Sequence, residues 1–277
     1  MKLVSIPANP APDDVVTGAI QTPDGVNLRF ARWAPPPGRK GTVLVLQGRA
    51  EFIEKYFETV RDLRARGFAV VTFDWRGQGL SDRALSNRHK GYVRSFSNYI
   101  IDLEAVMEQV VLPDCPPPIF ALAHSMGGAV VIRACHDGSR WFERVVLSAP
   151  MIALPSGRLT QVAGPLARFM RLLGIGGAYV PTGDSAATGT ESFIGNVLTS
   201  DPVRYARNAA VLEQEPALGL GAPTVAWADV AFRQMKQFAD PAYAASIRQP
   251  ILMVAAGRDE VVSTPAIETF GQNLLAG

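Results

Sequence analysis

The stretch that decides the fold is ALAHSMGGAV, residues 121–130. An apolar run ends at Ser125, and small residues follow at once. A serine between a buried strand and a buried helix, with small residues two positions before and after it, is typical of a nucleophile elbow, whose pattern is G-x-S-x-G. Here Ala123 replaces the first glycine and Gly127 retains the second. The stretch predicts that Ser125 is a nucleophile; the alternative is an ordinary helix N-cap.

The blocks around this stretch alternate between short apolar runs and amphipathic runs. The apolar runs predict buried strands: TVLVLQG (42–48), FAVVTF (68–73), PIFALAHS (118–125), RVVLSAP (144–150) and PILMVAAG (250–257). Helices are predicted at EFIEKYFETVRDLRARG (51–67), NYIIDLEAVMEQVV (98–111) and MGGAVVIRAC (126–135). This alternation predicts an α/β fold with a mostly parallel sheet. An antiparallel hairpin turning at Asp24-Gly25 is predicted before it.

One region interrupts the alternation, because residues 155–240 contain no clear buried strand. We interpret them as a helical insertion between a first core part, 1–154, and a second, 241–277. Its segment LTQVAGPLARFMRLLG (159–174) places apolar residues on one helical stripe: Leu159, Val162, Leu166, Phe169 and Leu173. The stripe is expected to face the substrate; the alternative is an ordinary amphipathic surface helix.

Composition excludes several classes of function. The net charge of +2 gives no basic surface of the kind that binds nucleic acid. The N-terminus has no apolar run of signal-peptide length, and no stretch reaches the length of a membrane span. Cys115 and Cys135 have neither metal-ligand nor disulfide-framework spacing, which favours a cytoplasmic protein with two reduced thiols.

Three loops that follow predicted strands carry polar residues: QGRAE (47–51), HSMGG (124–128) and GRDEVV (257–262). In a parallel sheet, ligands bind beyond the carboxyl ends of the strands. A nucleophile, an oxyanion hole and a carboxylate are therefore expected at one edge. The glycines of DWRGQG (74–79) do not have the spacing of a phosphate-binding loop, and we interpret them as a turn that supports the site.

Nearly the whole chain resembles the α/β-hydrolases of the monoglyceride lipase and lysophospholipase L2 group. The resemblance rests on LQGRAEFIEKY (46–56), FDWRGQGLSDR (73–83), KGYVRSFSNYIIDL (90–103), AHSMGG (123–128), LTSDPVRY (198–205) and AAGRDEVV (255–262). It implies that the backbone N–H groups of Arg49 and Met126 form the oxyanion hole. It assigns Asp259 as the catalytic acid, with adjacent Glu260 as the alternative. Gln47 stands where the family often has histidine.

The implied activity is hydrolysis of carboxylic esters of monoacylglycerols or lysophospholipids through an acyl-enzyme, with no metal or organic cofactor. The expected partner is a small ester with an acyl chain, and the resemblance also allows transient contact with lipid surfaces. No nucleic acid is expected. The open alternatives are peptidase, thioesterase or C–C hydrolase chemistry, or a non-catalytic binding protein on the same scaffold.

The sequence does not supply the general base that would accept the proton of Ser125. In the family a histidine follows the acid by roughly 25–35 residues, after one more strand. Only 18 residues follow Asp259. We therefore expect the last strand, the histidine loop and the closing helix to lie beyond Gly277, with His89 as the alternative base. His124 and His136 are expected to be structural.

Overall fold

The structure is a computed structural model that describes residues 2–35, 37–38, 40–181 and 183–275. The side chain of Leu159, predicted for the apolar stripe, lies outside what is described. Among the described residues, no helix is long and apolar enough to cross a membrane.

The core of the protein is a seven-stranded sheet with the order β1-β2-β4-β3-β5-β6-β7. β1 and β2 form the antiparallel hairpin predicted at Asp24-Gly25, and Gly25 has φ of 84° in its turn. From β4 to β7 all neighbouring strands pair in parallel, so the fold class is confirmed. The strands are β1 Val15–Gln21, β2 Asn27–Trp33, β3 Thr42–Leu46, β4 Ala69–Phe73, β5 Ile119–His124, β6 Arg144–Ser148 and β7 Ile251–Val254.

Helices cover both faces of this sheet, and every residue of β3 and β4 is consequently buried. A 3-10 turn, Ile53–Tyr56, precedes the first helix, and a π turn, Met107–Val111, joins the second to the third. The helices are α1 Phe57–Ala65, α2 Ser97–Val106, α3 Leu112–Asp114, α4 Met126–His136, α5 Arg158–Leu172, α6 Pro202–Gln214, α7 Val225–Phe238, α8 Pro241–Ala245 and α9 Thr264–Gln272.

The insertion between β6 and β7 is helical, as predicted, and contains α5 to α8. The domain boundaries at 154 and 240 stay predictions. α5 packs on α7 through small residues: Ala167 is buried, and a Cβ at Gly164 would lie 3.2 Å from the Phe232 ring. Arg171 adds an ion pair of 2.7 Å to Asp229 of α7. These contacts position α5 with its small-residue face inward.

The apolar stripe of α5 is consequently exposed. Phe169 is 58% exposed, and Val162, Leu166 and Leu173 are also exposed. Helix periodicity predicted which residues share a face, but the small residues of the opposite face are the ones that pack on α7. Whether the stripe meets substrate stays a prediction.

Candidate active site

Ser125 lies in a strained turn between β5 and α4. Its φ of 48° and ψ of −115° are unusual for a residue with a side chain, and it caps the N-terminus of α4. Backbone strain of this kind costs about 1–3 kcal/mol and persists only where neighbours enforce it. The Ser125 N–H donates to the Ser148 carbonyl at 3.1 Å, and its own carbonyl accepts from Met151 N–H at 3.0 Å. The predicted elbow is therefore present.

The small residues of the motif are required by close packing. A Cβ at Gly127 would lie 2.5 Å from the Leu46 carbonyl oxygen. A Cβ at Gly128 would lie 2.9 Å from the Pro150 side chain. Both distances are shorter than van der Waals contact, so any larger residue would push α4 away from the ends of β3 and β6.

The loop after β3 reaches the nucleophile through Gly48. A Cβ at Gly48 would lie 3.2 Å from Ser125 Cβ, so this backbone lies directly against the elbow. Arg49 follows Gly48 and Met126 follows Ser125, which brings the two predicted oxyanion residues to one place. Ala50 completes the turn with φ of 59°.

Gln78 holds this loop from the side, and sequence reasoning did not find it. Its Oε1 accepts Ala50 N–H at 2.9 Å, and its Nε2 donates to the Gly48 carbonyl at 3.1 Å. Gln78 belongs to the DWRGQG turn, and Trp75 Nε1 of the same turn donates to the Gln47 carbonyl. The interpretation of this turn as a support for the site agrees with these contacts.

Glu51 is a second residue that sequence reasoning missed. Its buried carboxylate accepts the N–H of Gly48, the Lys55 ammonium and the Tyr56 hydroxyl. It also lies 3.9 Å from His124 Nε2. Burial by itself would raise the pKa of Glu51, but Lys55, His124 and the hydrogen bonds prevail and lower that pKa to about 2. The loop is thus fixed by a permanent negative charge.

Buried ion pairs support the same turn. The Arg29 guanidinium contacts both Glu54 and Asp74 with no exposed side-chain surface. Arg76 bridges the buried Asp102 and Asp24, whose side chain is 36% exposed. Breaking such a buried pair typically costs 3–5 kcal/mol, because it leaves a charge without a partner.

Asp259 lies in the loop after β7, at the same edge of the sheet as Ser125. Backbone hydrogen bonds connect the ends of these strands: Ser125 N–H donates to Ser148, and Ala149 N–H donates to Val254. Asp259 Oδ1 accepts the N–H groups of Val261 and Val262, both at 2.8 Å. The carboxylate is therefore oriented by its own loop. The alternative acid, Glu260, is exposed.

Among the described residues, no histidine hydrogen-bonds with Ser125 or Asp259. His124 Nδ1 lies 3.0 Å from the Ser148 carbonyl; its side chain is 39% exposed, which corrects the expectation of a packed core residue. His136 stacks on Tyr243 with ring centroids 3.6 Å apart, which is a structural contact. His89 is partly buried rather than solvated, and its carbonyl accepts the N–H of Gly221 in the insertion.

A cleft of about 530 Å³ lies at the other end of α4. Its lining includes Arg133, His136 and Asp137 from α4, and Arg233 and Lys236 from α7. These α4 residues are at least two turns from Ser125, roughly 12–18 Å along the helix. The cleft is therefore distinct from the candidate active site.

Comparisons with known proteins identify the family of this chain. The family model described as serine aminopeptidase, S33, matches residues 37–276. Lysophospholipase L2 of Escherichia coli K12 is 31% identical over 252 residues, covering 89% of this chain and 72% of the relative. The crystal structure of Paleococcus ferrophilus monoacylglycerol lipase has a TM-score of 0.67 at 20% identity, covering 90% of this chain and 85% of that one.

A carboxyl esterase from Bacillus coagulans has a similar fold, with a TM-score of 0.71 at 17% identity over 95% of this chain and 87% of that one. The structural likenesses show the fold, and the family match and the lysophospholipase relative show the family. The resemblance inferred from the motifs is thereby confirmed. The chain belongs to the serine aminopeptidase S33 family of α/β-hydrolases.

Proposed function

We propose that this chain hydrolyses carboxylic esters of lipid-like substrates, monoacylglycerols or lysophospholipids, through an acyl-enzyme on Ser125. The observation that carries the proposal is a strained serine at a helix N-terminus with a backbone loop packed against its Cβ. The lysophospholipase L2 relative supports a lipid ester as the substrate class.

The proposed chemistry follows from the positions of these groups. Ser125 Oγ attacks the ester carbonyl carbon, the C–O bond breaks, and the alcohol leaves with a proton. The N–H groups of Arg49 and Met126 stabilise the negative oxygen, and removing one such donor typically costs about 3 kcal/mol. Water then hydrolyses the acyl-enzyme. Asp259 would orient the imidazole that moves the proton, and we assign that role to none of the three described histidines.

A second candidate is peptidase activity, because the matching family model is described as a serine aminopeptidase. Peptide and ester hydrolysis share the acyl-enzyme, so the nucleophile does not distinguish them. We place the protein in the cytoplasm as part of the same proposal, with support from Cys115 and Cys135, which are both free thiols.

The experiment is labelling with a fluorophosphonate probe, combined with a substrate panel of a monoacylglycerol, a lysophospholipid and a peptide p-nitroanilide. In a protein that includes the catalytic base, Ser125→Ala should abolish labelling and lower ester hydrolysis on the order of 10⁶-fold. Ser156→Ala, at an exposed serine, is the matched control and should change neither. Substantial hydrolysis by Ser125→Ala would contradict the proposal, and faster cleavage of the p-nitroanilide would favour a peptidase.

His89→Ala tests the alternative base in the same assays. The ring of His89 contacts neither Ser125 nor Asp259, so we expect hydrolysis within about three-fold of the wild-type rate. A loss of several orders of magnitude would identify His89 as the base.

A further inference from the structure

The Arg49 side chain is a partly buried cation with no carboxylate partner among the described residues. Its Nη2 donates to the Gly221 carbonyl at 2.6 Å, and its Cζ lies 5.1 Å from the Trp227 ring centroid. Among the described residues, no Asp or Glu oxygen lies within 4 Å of it. The buried arginines of the core differ, since Arg29 and Arg76 each contact two carboxylates.

Removal of the Arg49 guanidinium from water disfavours its charged form. Desolvation lowers the pKa of Arg49 to about 10, so the guanidinium stays positive at neutral pH. Its Nε is buried and has no hydrogen-bond partner in the described part of the chain. Buried charges are normally paired, and a buried donor without a partner calls for an explanation such as a ligand.

A second buried polar atom without a hydrogen-bond partner in the described part of the chain lies on the same side of the insertion. His89 Nδ1 is buried and unpaired, and the His89 carbonyl accepts the N–H of Gly221, the residue whose carbonyl binds Arg49. Lys90 Nζ lies 5.0 Å from the Tyr179 ring, and Tyr179 is close enough to Arg49 that each affects the pKa of the other. Asp184 is near Tyr179, but its Oδ1 accepts the N–H of Ala186. Arg49 and Lys90 are therefore two cations in a region where Asp184 supplies a carboxylate, and the carboxylate of Glu51 in the Arg49 loop is already paired with Lys55.

We propose that Arg49 binds the phosphate of the substrate's headgroup, so that the preferred esters are lysophospholipids rather than neutral monoacylglycerols. The inference rests on the proposed function, because it places the scissile ester at the Arg49 backbone N–H. A guanidinium is suited to this role because its donors match a phosphate in a bidentate manner.

The reach of the side chain agrees with the size of such a substrate. About six covalent bonds, each about 1.5 Å long, separate an arginine backbone nitrogen from its guanidinium carbon. About five or six separate the ester carbonyl carbon of a lysophospholipid from its phosphorus. One residue could therefore contact the carbonyl oxygen with its backbone and the phosphate with its side chain.

Arg83 is the matched control within the chain. It is also a partly buried arginine whose pKa desolvation lowers to about 10, and its Nε likewise has no hydrogen-bond partner in the described part of the chain. Its guanidinium, however, donates to the carbonyls of Gly77, Gly79 and Ala217, which join the DWRGQG turn to the insertion. This arginine has a structural role, so replacing it tests for general destabilisation.

The experiment measures binding by calorimetry with two non-hydrolysable ligands of equal chain length, decyl phosphate and 1-O-decylglycerol, below their micellar concentrations. The wild-type protein should bind decyl phosphate at least ten-fold more tightly. Arg49→Gln should remove this preference, Arg49→Lys should retain part of it, and Arg83→Gln should leave it unchanged. Inorganic phosphate alone, at millimolar concentration, should not displace decyl phosphate.

The proposal is wrong if the wild type binds the two ligands equally or binds neither, or if the preference survives in a folded Arg49→Gln protein. Displacement by inorganic phosphate would also overturn it, in favour of a site for the free anion. Because neither ligand is hydrolysed, the result is independent of catalysis. Failure of the proposed function would instead appear as no fluorophosphonate labelling of Ser125.

Discussion

At the residue scale, the site depends on two strained residues that their neighbours enforce. Ser125 and Ala50 both have positive φ although neither is glycine. Hydrogen bonds to Ser148 and Gln78 hold their N–H groups in place. The strain is therefore offset by contacts with residues that are far away in the sequence, and the loop after β3 depends on polar side chains as much as on its own backbone.

Glu51→Gln should weaken both stability and catalysis. The pKa of Glu51 is about 2 in the folded protein, against an ordinary value of 4.5. A lowered pKa stabilises the fold above about pH 4.5, and this stabilisation is lost as pH falls toward 2. We expect the ionised Glu51 carboxylate to contribute on the order of 3 kcal/mol to the free energy of unfolding. Urea unfolding at pH 6 and pH 3 measures this contribution.

At pH 6 the free energy of unfolding of Glu51→Gln should be lower than that of the wild type by about this amount. Between pH 6 and pH 3 it should decrease by correspondingly less than in the wild type. Its kcat should fall more than its KM rises, since Gly48 loses the carboxylate that accepts its N–H. Identical pH dependence in the two proteins would show that the Glu51 charge does not stabilise the fold.

At the element scale, α4 and α5 use small residues in different ways. Gly127 and Gly128 of α4 let the helix approach the ends of β3 and β6, which presents Ser125. Gly164 and Ala167 of α5 let that helix approach α7, which leaves its larger apolar side chains exposed. The exposed stripe is therefore available to an acyl chain without any cost in core packing.

Phe169→Asp and Leu166→Asp should affect substrate binding more than folding. Phe169 is 58% and Leu166 43% exposed, and surface substitutions usually change stability by less than about 0.5 kcal/mol. If the stripe contacts acyl chains, KM should rise for a long-chain ester more than for an acetyl ester. Gln161→Asp, at an exposed position of α5 outside the apolar stripe, is the control. Equal effects on both esters would contradict a role in acyl binding.

At the scale of the whole molecule, β7 is the last strand at one side of the sheet within the described residues. α9 packs on one face of β7, with Ile267 and Phe270 in the core. On β7 itself, Leu252 is 61% and Val254 50% exposed. An exposed apolar edge strand is a template for pairing with another chain.

Leu252→Lys and Val254→Lys should reduce self-association without unfolding the protein, because each adds a charge to an exposed edge. We expect less light scattering at high protein concentration and a melting temperature within about 2 °C of wild type. Leu147→Lys, at a buried position of the neighbouring strand, should instead unfold the protein. Unchanged scattering in the edge variants would show that another surface causes association.

Much of the fold could be predicted because its signals are local. Each strand from β3 to β7, the hairpin at Asp24-Gly25 and the elbow at Ser125 were predicted from short runs of residues. The predicted burial holds throughout β3 and β4, whereas Leu252 and Val254 of β7 are exposed. The helical character of the insertion was predicted in the same way. Glu51 and Gln78 could not be found, because polar residues in a loop have no periodicity, and the loop that Gln78 binds is about thirty residues away.

The sequence by itself determined the order of strands and helices and the parallel sheet, and it predicted the elbow at Ser125, since apolar periodicity and the steric needs of the elbow act over short segments. Only the tertiary structure decided which face of α5 is buried and how Glu51 and Gln78 hold the loop after β3. It also decided that the Arg49 guanidinium contacts the insertion without an acidic partner among the described residues. These features depend on contacts between segments that are distant in the chain, and such contacts exist only once the sheet and the insertion have packed together.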